Sequence, residues 1–181
     1  MFKKFLAAAI LFILLAVGMV LWEIFIVFDG SSNQYVHKYR AYEQAADIGN
    51  AQVLDIAGRQ MPISQLVTKP SIIMIWASWC GVCASEMAKV TAFANSHGSK
   101  DVNMLFIALP NEHPSDLIRF MRQHAPDASV DVYRSADASI MKTLGLRGVP
   151  SYLAVNEQAQ VVATMRPNWN KPGSLIHLLT Q

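Results

Sequence analysis

Ser71-Ile72-Ile73-Met74-Ile75-Trp76-Ala77-Ser78-Trp79-Cys80-Gly81-Val82-Cys83 is the stretch on which the fold turns. Its first half is apolar on both alternations, the pattern of a strand buried on two faces, as in a sheet covered on both sides. From Gly81 to His97 the period changes: Val82, Met87, Val90, Phe93 and Ala94 recur at helical spacing, and Gly98 follows as a stop. A buried strand therefore runs out, and a helix starts, where the chain's two cysteines stand.

Working outward, Val53 to Ile56 reads as an extended piece before a turn at Ala57-Gly58-Arg59, and residues 34 to 49 as a short helix. Downstream, Val102 to Leu109 is a second apolar strand, Pro114 to His124 a helix, Val130 to Tyr133 a short strand and Ala136 to Leu144 a short helix closed by Gly145. Ser151 to Val155 and Gln160 to Met165, split by Asn156-Glu157-Gln158-Ala159, read as a hairpin, and Pro172 to Leu179 as a closing helix. Strands alternating with helices before a terminal hairpin predict an α/β fold: a central mixed sheet with helices on both faces, spanning residues 50–181.

Composition adds an appendage. An apolar share of 52% is high for 181 residues in water, and the stretch from Phe5 to Phe28 accounts for the excess, broken only by Gly18 and Glu23. Phe5 to Trp22 alone exceeds the roughly 7 to 15 residues of a signal-peptide core and approaches the roughly 20 of a spanning helix. With no small-x-small cleavage site after it, residues 1–28 read as an uncleaved N-terminal transmembrane anchor rather than a removed leader, and residues 29–49 as a linker with a short helix. Trp22 suits a headgroup boundary, where Glu23 can reach polar surroundings. Lys3 and Lys4 place the N-terminus in the cytoplasm and the rest of the chain outside it. A net charge of +2 without a dense basic run gives no case for nucleic acid.

The cysteines carry the chemistry. A thiol at a helix N-terminus faces unpaired N–H groups and the positive end of the dipole, which favour its thiolate, so Cys80 is the expected nucleophile. Cys83, one turn later and more buried, is placed to resolve a mixed disulfide on Cys80. Three plainer readings compete. A structural disulfide closing so short a loop stabilises by only about 2 kcal/mol in the entropy model. A zinc site needs further ligands, yet His37, His97, His113, His124 and His177 are scattered and no other cysteine exists. Inert thiols survive poorly as a close pair in an oxidising compartment.

Trp76-Ala77-Ser78-Trp79-Cys80-Gly81-Val82-Cys83 resembles the active-site segment of thioredoxin-like proteins, and Gly148-Val149-Pro150-Ser151 resembles their second landmark, a loop with a cis-proline. With the anchor, and with Glu86 three residues after Cys83, the chain is most similar to the membrane-anchored TlpA/ResA/CcmG (DsbE-like) group of thiol-disulfide oxidoreductases over residues 50 to 181. Two landmarks in their expected order are far more specific than a lone C-x-x-C.

The resemblance implies a cis Val149–Pro150 bond lying against the cysteines, with Val149 offering backbone groups to a bound peptide. Trp79 is expected to cap the site with an apolar face, while Trp76 and the tyrosines read as core. Two departures stand out: Val82 replaces the proline that thioredoxin carries before its second cysteine, and Met74 replaces its buried aspartate. A proton acceptor for Cys83 must then come from elsewhere. Glu86 is the candidate, sharing a helix face with Cys83, against the alternative of a plain solvated carboxylate.

The implied activity is reduction of client disulfides outside the cytoplasm, with no cofactor beyond the redox-active pair. Its implied partners are cysteine-containing client proteins, apocytochrome c among them, and a membrane thiol-electron donor of the DsbD/CcdA kind. An oxidant or isomerase is the alternative, because tens of millivolts decide direction. A non-enzymatic module that holds clients or metal is a third reading.

Overall fold

The computed structural model describes residues 17–19, 40–97, 102–167 and 169. The chain divides into two compact units, Met1–Gln34 and Tyr35–Gln181. In the first, Val17 to Met19 are helical. The remainder of the expected anchor and the closing helix at Pro172 to Leu179 lie outside the described residues, among which no helix is long and apolar enough to cross a membrane.

The second unit is built on one eight-stranded mixed sheet. Its strands are β1 (Arg40–Asp47), β2 (Gln52–Asp55), β3 (Gln60–Pro62), β4 (Ser71–Trp76), β5 (Asn103–Ala108), β6 (Val132–Ser135), β7 (Ser151–Val155) and β8 (Gln160–Met165). Its helices are α1 (Gly81–His97), α2 (Pro114–His124) and α3 (Ser139–Thr143), with a 3-10 turn at Ile63–Gln65. The spatial order is β1-β8-β7-β4-β5-β6-β2-β3. β4, β5 and β6 run parallel, whereas β7 and β8 close the other side antiparallel to β4.

β4 is buried at every position because both its faces are covered. Ile72, Met74 and Trp76 enter one core with Met87, Val90 and Phe93 of α1 and Leu117 and Phe120 of α2. Ile73 and Ile75 enter the other with Ile140 of α3, Leu144, Leu153 and Ile63. This is the two-faced sheet that the apolar run and the alternating order predict. β4, α1, α2, β7 and β8 keep the expected bounds. β6 lies two residues later than expected, and α3 is a shorter piece of the stretch ending at Leu144.

Two local expectations fail. Arg40–Asp47, within the expected helix of residues 34 to 49, is a strand antiparallel to β8, interrupted by a bulge between Ala41 and Ala46. Its alanines and Glu43 favour a helix in isolation, but β8 offers an open row of backbone donors and acceptors, and pairing overrides propensity. The linker of residues 29–49 is therefore partly sheet. The second failure is β3, which was not anticipated: three residues paired to β2 across the turn in which Gly58 takes φ 84°. So short a strand carries almost no periodic signal.

Candidate active site

The site forms where β4 runs into α1. A turn closes at the cysteine, with Cys80 N–H donating to the Ala77 carbonyl at 3.1 Å, and the Cys80 carbonyl then accepts the first helical bond from Ala84 N–H at 3.0 Å. Cys80 thus occupies the cap position of α1. Its sulfur receives the Cys83 amide at 3.1 Å, as a capping side chain receives the third helical N–H. That donor and the helix dipole are the groups that favour a thiolate at this sulfur. Cys80 and Cys83 are joined as a disulfide with their Cα atoms 5.2 Å apart. Cys83 is wholly buried and Cys80 keeps 6% exposure, so Cys80 is the nearer of the two to solvent.

The surroundings of Cys80 are apolar and open. Trp79 is 72% exposed and Val82 53%, on either side of the nucleophile. The Val149–Pro150 peptide bond is cis, as expected. β7 runs antiparallel to β4 with Ser151 opposite Ile75, which brings Pro150 level with Trp76, at the same end of the sheet as Cys80. Val149 packs against the cluster that contains both cysteines. Among the described residues its backbone N–H and carbonyl make no hydrogen bond, so an edge is open to an extended peptide. Pro150 itself is buried.

Glu86 lies one turn beyond Cys83 on α1, half-buried, and its carboxylate accepts a hydrogen bond from the Tyr152 hydroxyl. Tyr152 is opposite Met74 in the β4–β7 register, and its ring meets Trp169 edge-on at 5.3 Å. Burial, then the hydrogen bond to Glu86 and its charge, push the Tyr152 phenol well above its ordinary value, so it stays a neutral donor. The polar group missing at Met74 therefore has a counterpart on the neighbouring strand. Tyr152 is buried, as a core reading expects, but it also holds the carboxylate that the helical spacing singled out.

Glu112 escaped the sequence reading altogether. It lies between β5 and α2, is 9% exposed, and its carboxylate accepts from both Ser78 N–H at 3.2 Å and Ser78 Oγ at 2.5 Å. Its one sequence signal is weak: a carboxylate in the loop beyond a buried parallel strand, at the sheet end where such folds place their sites. Among the described residues no cluster of three or more histidine, cysteine, aspartate or glutamate side chains could hold a metal ion.

Similarity to known proteins follows the same architecture. A stretch of 94 residues is 21% identical to the sporulation thiol-disulfide oxidoreductase A of Bacillus subtilis, taking in 52% of this chain and 57% of that protein, so the chain spans little more than half the length of this relative. A thiol:disulfide interchange protein from Bacteroides sp. superimposes with a TM-score of 0.64 at 11% identity, over 78% of this chain and 93% of that one. A secreted Mycobacterium tuberculosis disulfide oxidoreductase, homologous to E. coli DsbE, does so with a TM-score of 0.58 at 15% identity, over 72% and 96%. At these identities the likeness establishes the thioredoxin-like fold. Residues 50–174 match the Redoxin family across both cysteines, the cis-proline and the sheet from β2 to β8, and the chain belongs to that family.

Proposed function

We propose that this chain is a protein thiol-disulfide oxidoreductase working outside the cytoplasm, tethered by its N-terminal apolar segment, and that it reduces disulfides in client proteins. The observation that carries the reading is the Cys80–Cys83 pair at the N-terminus of α1, Cys80 the nearer to solvent and Cys83 wholly buried, at the same sheet end as the cis Val149–Pro150 bond. Kinship with thiol-disulfide oxidoreductases supports the reaction class. The apolar run from Phe5 to Phe28 behind Lys3 and Lys4, together with the likeness to a secreted protein, supports the location.

The reaction begins from the dithiol. The Cys80 thiolate attacks one sulfur of a client disulfide, forming a Cys80–client bond and expelling the other client sulfur as thiolate. Cys83, deprotonated, then attacks Cys80 sulfur, forming the Cys80–Cys83 disulfide and releasing the second client thiol. Two electrons and two protons pass to the client. A membrane dithiol donor of the DsbD/CcdA kind restores the pair, and the tether keeps the domain at high local concentration beside it. Trp79, Val82 and Val149 offer apolar contact to residues flanking the client cysteine, and the free Val149 backbone offers strand pairing. Glu86, held by Tyr152, takes the Cys83 proton.

Reduction of insulin by dithiothreitol is the direct assay. The native protein is expected to accelerate it and Cys80→Ser to abolish the acceleration, whereas equal rates for both would leave a non-enzymatic module. Equilibration in glutathione buffers reads direction: a potential near about −120 mV, that of a dedicated oxidase, would reverse the assigned flow.

A further inference from the structure

The loop that carries Trp79 and Cys80 is tied down by a residue remote in sequence. Leu109 N–H donates to the Trp76 carbonyl at 2.9 Å, carrying the pairing with the last residue of β4 one residue beyond β5. The chain after it is held by Arg134 of β6, whose Nη1 donates to the Pro110 carbonyl at 3.1 Å, and by Glu112 N–H on the Leu109 carbonyl at 3.4 Å. Glu112 is thereby delivered to Ser78, where its carboxylate takes both donors that residue owns. Only exposed Trp79 separates Ser78 from Cys80.

A carboxylate this buried is costly unless donors satisfy it, and Ser78 supplies two to one oxygen. The expense is out of proportion to anchoring a short loop, which a neutral side chain would do. What the charge adds is a field: a negative group beside the turn that presents Cys80 opposes the thiolate which the helix N-terminus favours. Among the described residues, His113 follows Glu112 directly, and its ring meets the Ser115 hydroxyl at 2.8 Å. Glu86 with Tyr152 lies on the opposite, β7 side of β4, and the Arg134 guanidinium rests on Pro110.

We propose that Glu112 is a positioning residue that acts through Ser78 to fix the Trp79–Cys80 turn and to hold the Cys80–Cys83 pair at a more reducing potential than the helix terminus alone would give. This rests on thiol-disulfide exchange at the pair but not on which way electrons flow in the cell. The chemistry is that of the pair itself: reduction adds two electrons and two protons to one disulfide, and a less stable Cys80 thiolate makes the disulfide form the more favoured.

The test measures the equilibrium constant with glutathione and the rate of Cys80 alkylation by iodoacetamide at neutral pH, in the full chain. Glu112→Gln keeps an acceptor for Ser78 and removes the charge. It is expected to shift the glutathione equilibrium three- to tenfold toward the dithiol, the upper figure being about 30 mV, and to raise the thiolate fraction at Cys80. Ser78→Ala, which loosens the carboxylate, shifts it the same way by less, and Ser78→Thr, which keeps both donors, restores the native value. In the Ser78→Ala background the Glu112→Gln effect shrinks, as coupled sites require. If Glu112→Gln melts earlier yet leaves equilibrium and alkylation native, Glu112 only braces the loop and the proposal is overturned. Should that variant not accumulate, native behaviour of both Ser78 variants overturns it equally. A native protein with no exchange activity at all would instead sink the functional reading on which this rests.

Discussion

The two sides of β4 treat the redox pair differently. On the β7 side, Glu86 of α1 is half-buried and held by a single neutral donor, the Tyr152 hydroxyl, itself kept protonated by burial. On the β5 side, Glu112 sits in a loop, almost fully buried and held by two donors of one serine. The first is left partly open to solvent, whereas the second is enclosed and locked by two donors, an arrangement suited to holding geometry. Between them β4 presents Met74, wholly buried and apolar, where thioredoxin has its aspartate. On the roles proposed above, a proton acceptor and a constraint, which one buried acid could combine, are divided between opposite sides of the strand.

Removing Met74 should have the largest effect. Met74→Ala leaves a cavity in the core shared with Met87 and Phe106, and denaturant unfolding of the reduced protein should show a loss of about 3 kcal/mol. A loss within experimental error would mean that Met74 is not part of a tightly packed core.

Glu86→Gln comes next. If Glu86 takes the Cys83 proton, resolution of the mixed disulfide slows about tenfold near neutral pH and its rate becomes less dependent on pH, while alkylation of Cys80 is little changed. Glu112→Gln is expected to do the reverse, altering Cys80 and sparing resolution. An unchanged pH profile would remove Glu86 from the mechanism and leave it a helix carboxylate.

Tyr152→Phe should have the smallest effect, about 1 kcal/mol for the lost hydrogen bond. It also has a pH signature. The Tyr152 phenol is raised above its ordinary value of 10.0 in the folded state, so its contribution to stability is complete below that value. As pH climbs past 10.0 the unfolded chain loses this proton and the folded chain retains it, so stability falls. The variant lacks that term, and its stability should decline less steeply in alkali; equal slopes would show that the phenol is not sequestered.

Much of this was legible before any coordinates. The apolar run of β4, the helical period of α1 and the cysteine pair at their junction are local patterns, each set within a few residues by side-chain burial and backbone geometry. The cis peptide at Val149–Pro150 followed from a resemblance rather than from periodicity. β1 was misread because its residues favour a helix and only an unpaired strand elsewhere made it extended. The Glu86–Tyr152 and Glu112–Ser78 bonds were invisible for a similar reason: their partners lie 66 and 34 residues apart, and no spacing rule connects them.

By itself, then, the order of residues determined the α/β alternation and the placing of Cys80 at a helix cap with Cys83 one turn on, because both depend on neighbours within about one turn. Tertiary structure alone brought Glu112 to Ser78 and supplied the donors that hold both carboxylates. Burial of a charge is settled by the donors that meet it, and in a mixed sheet those donors come from strands and loops far along the chain.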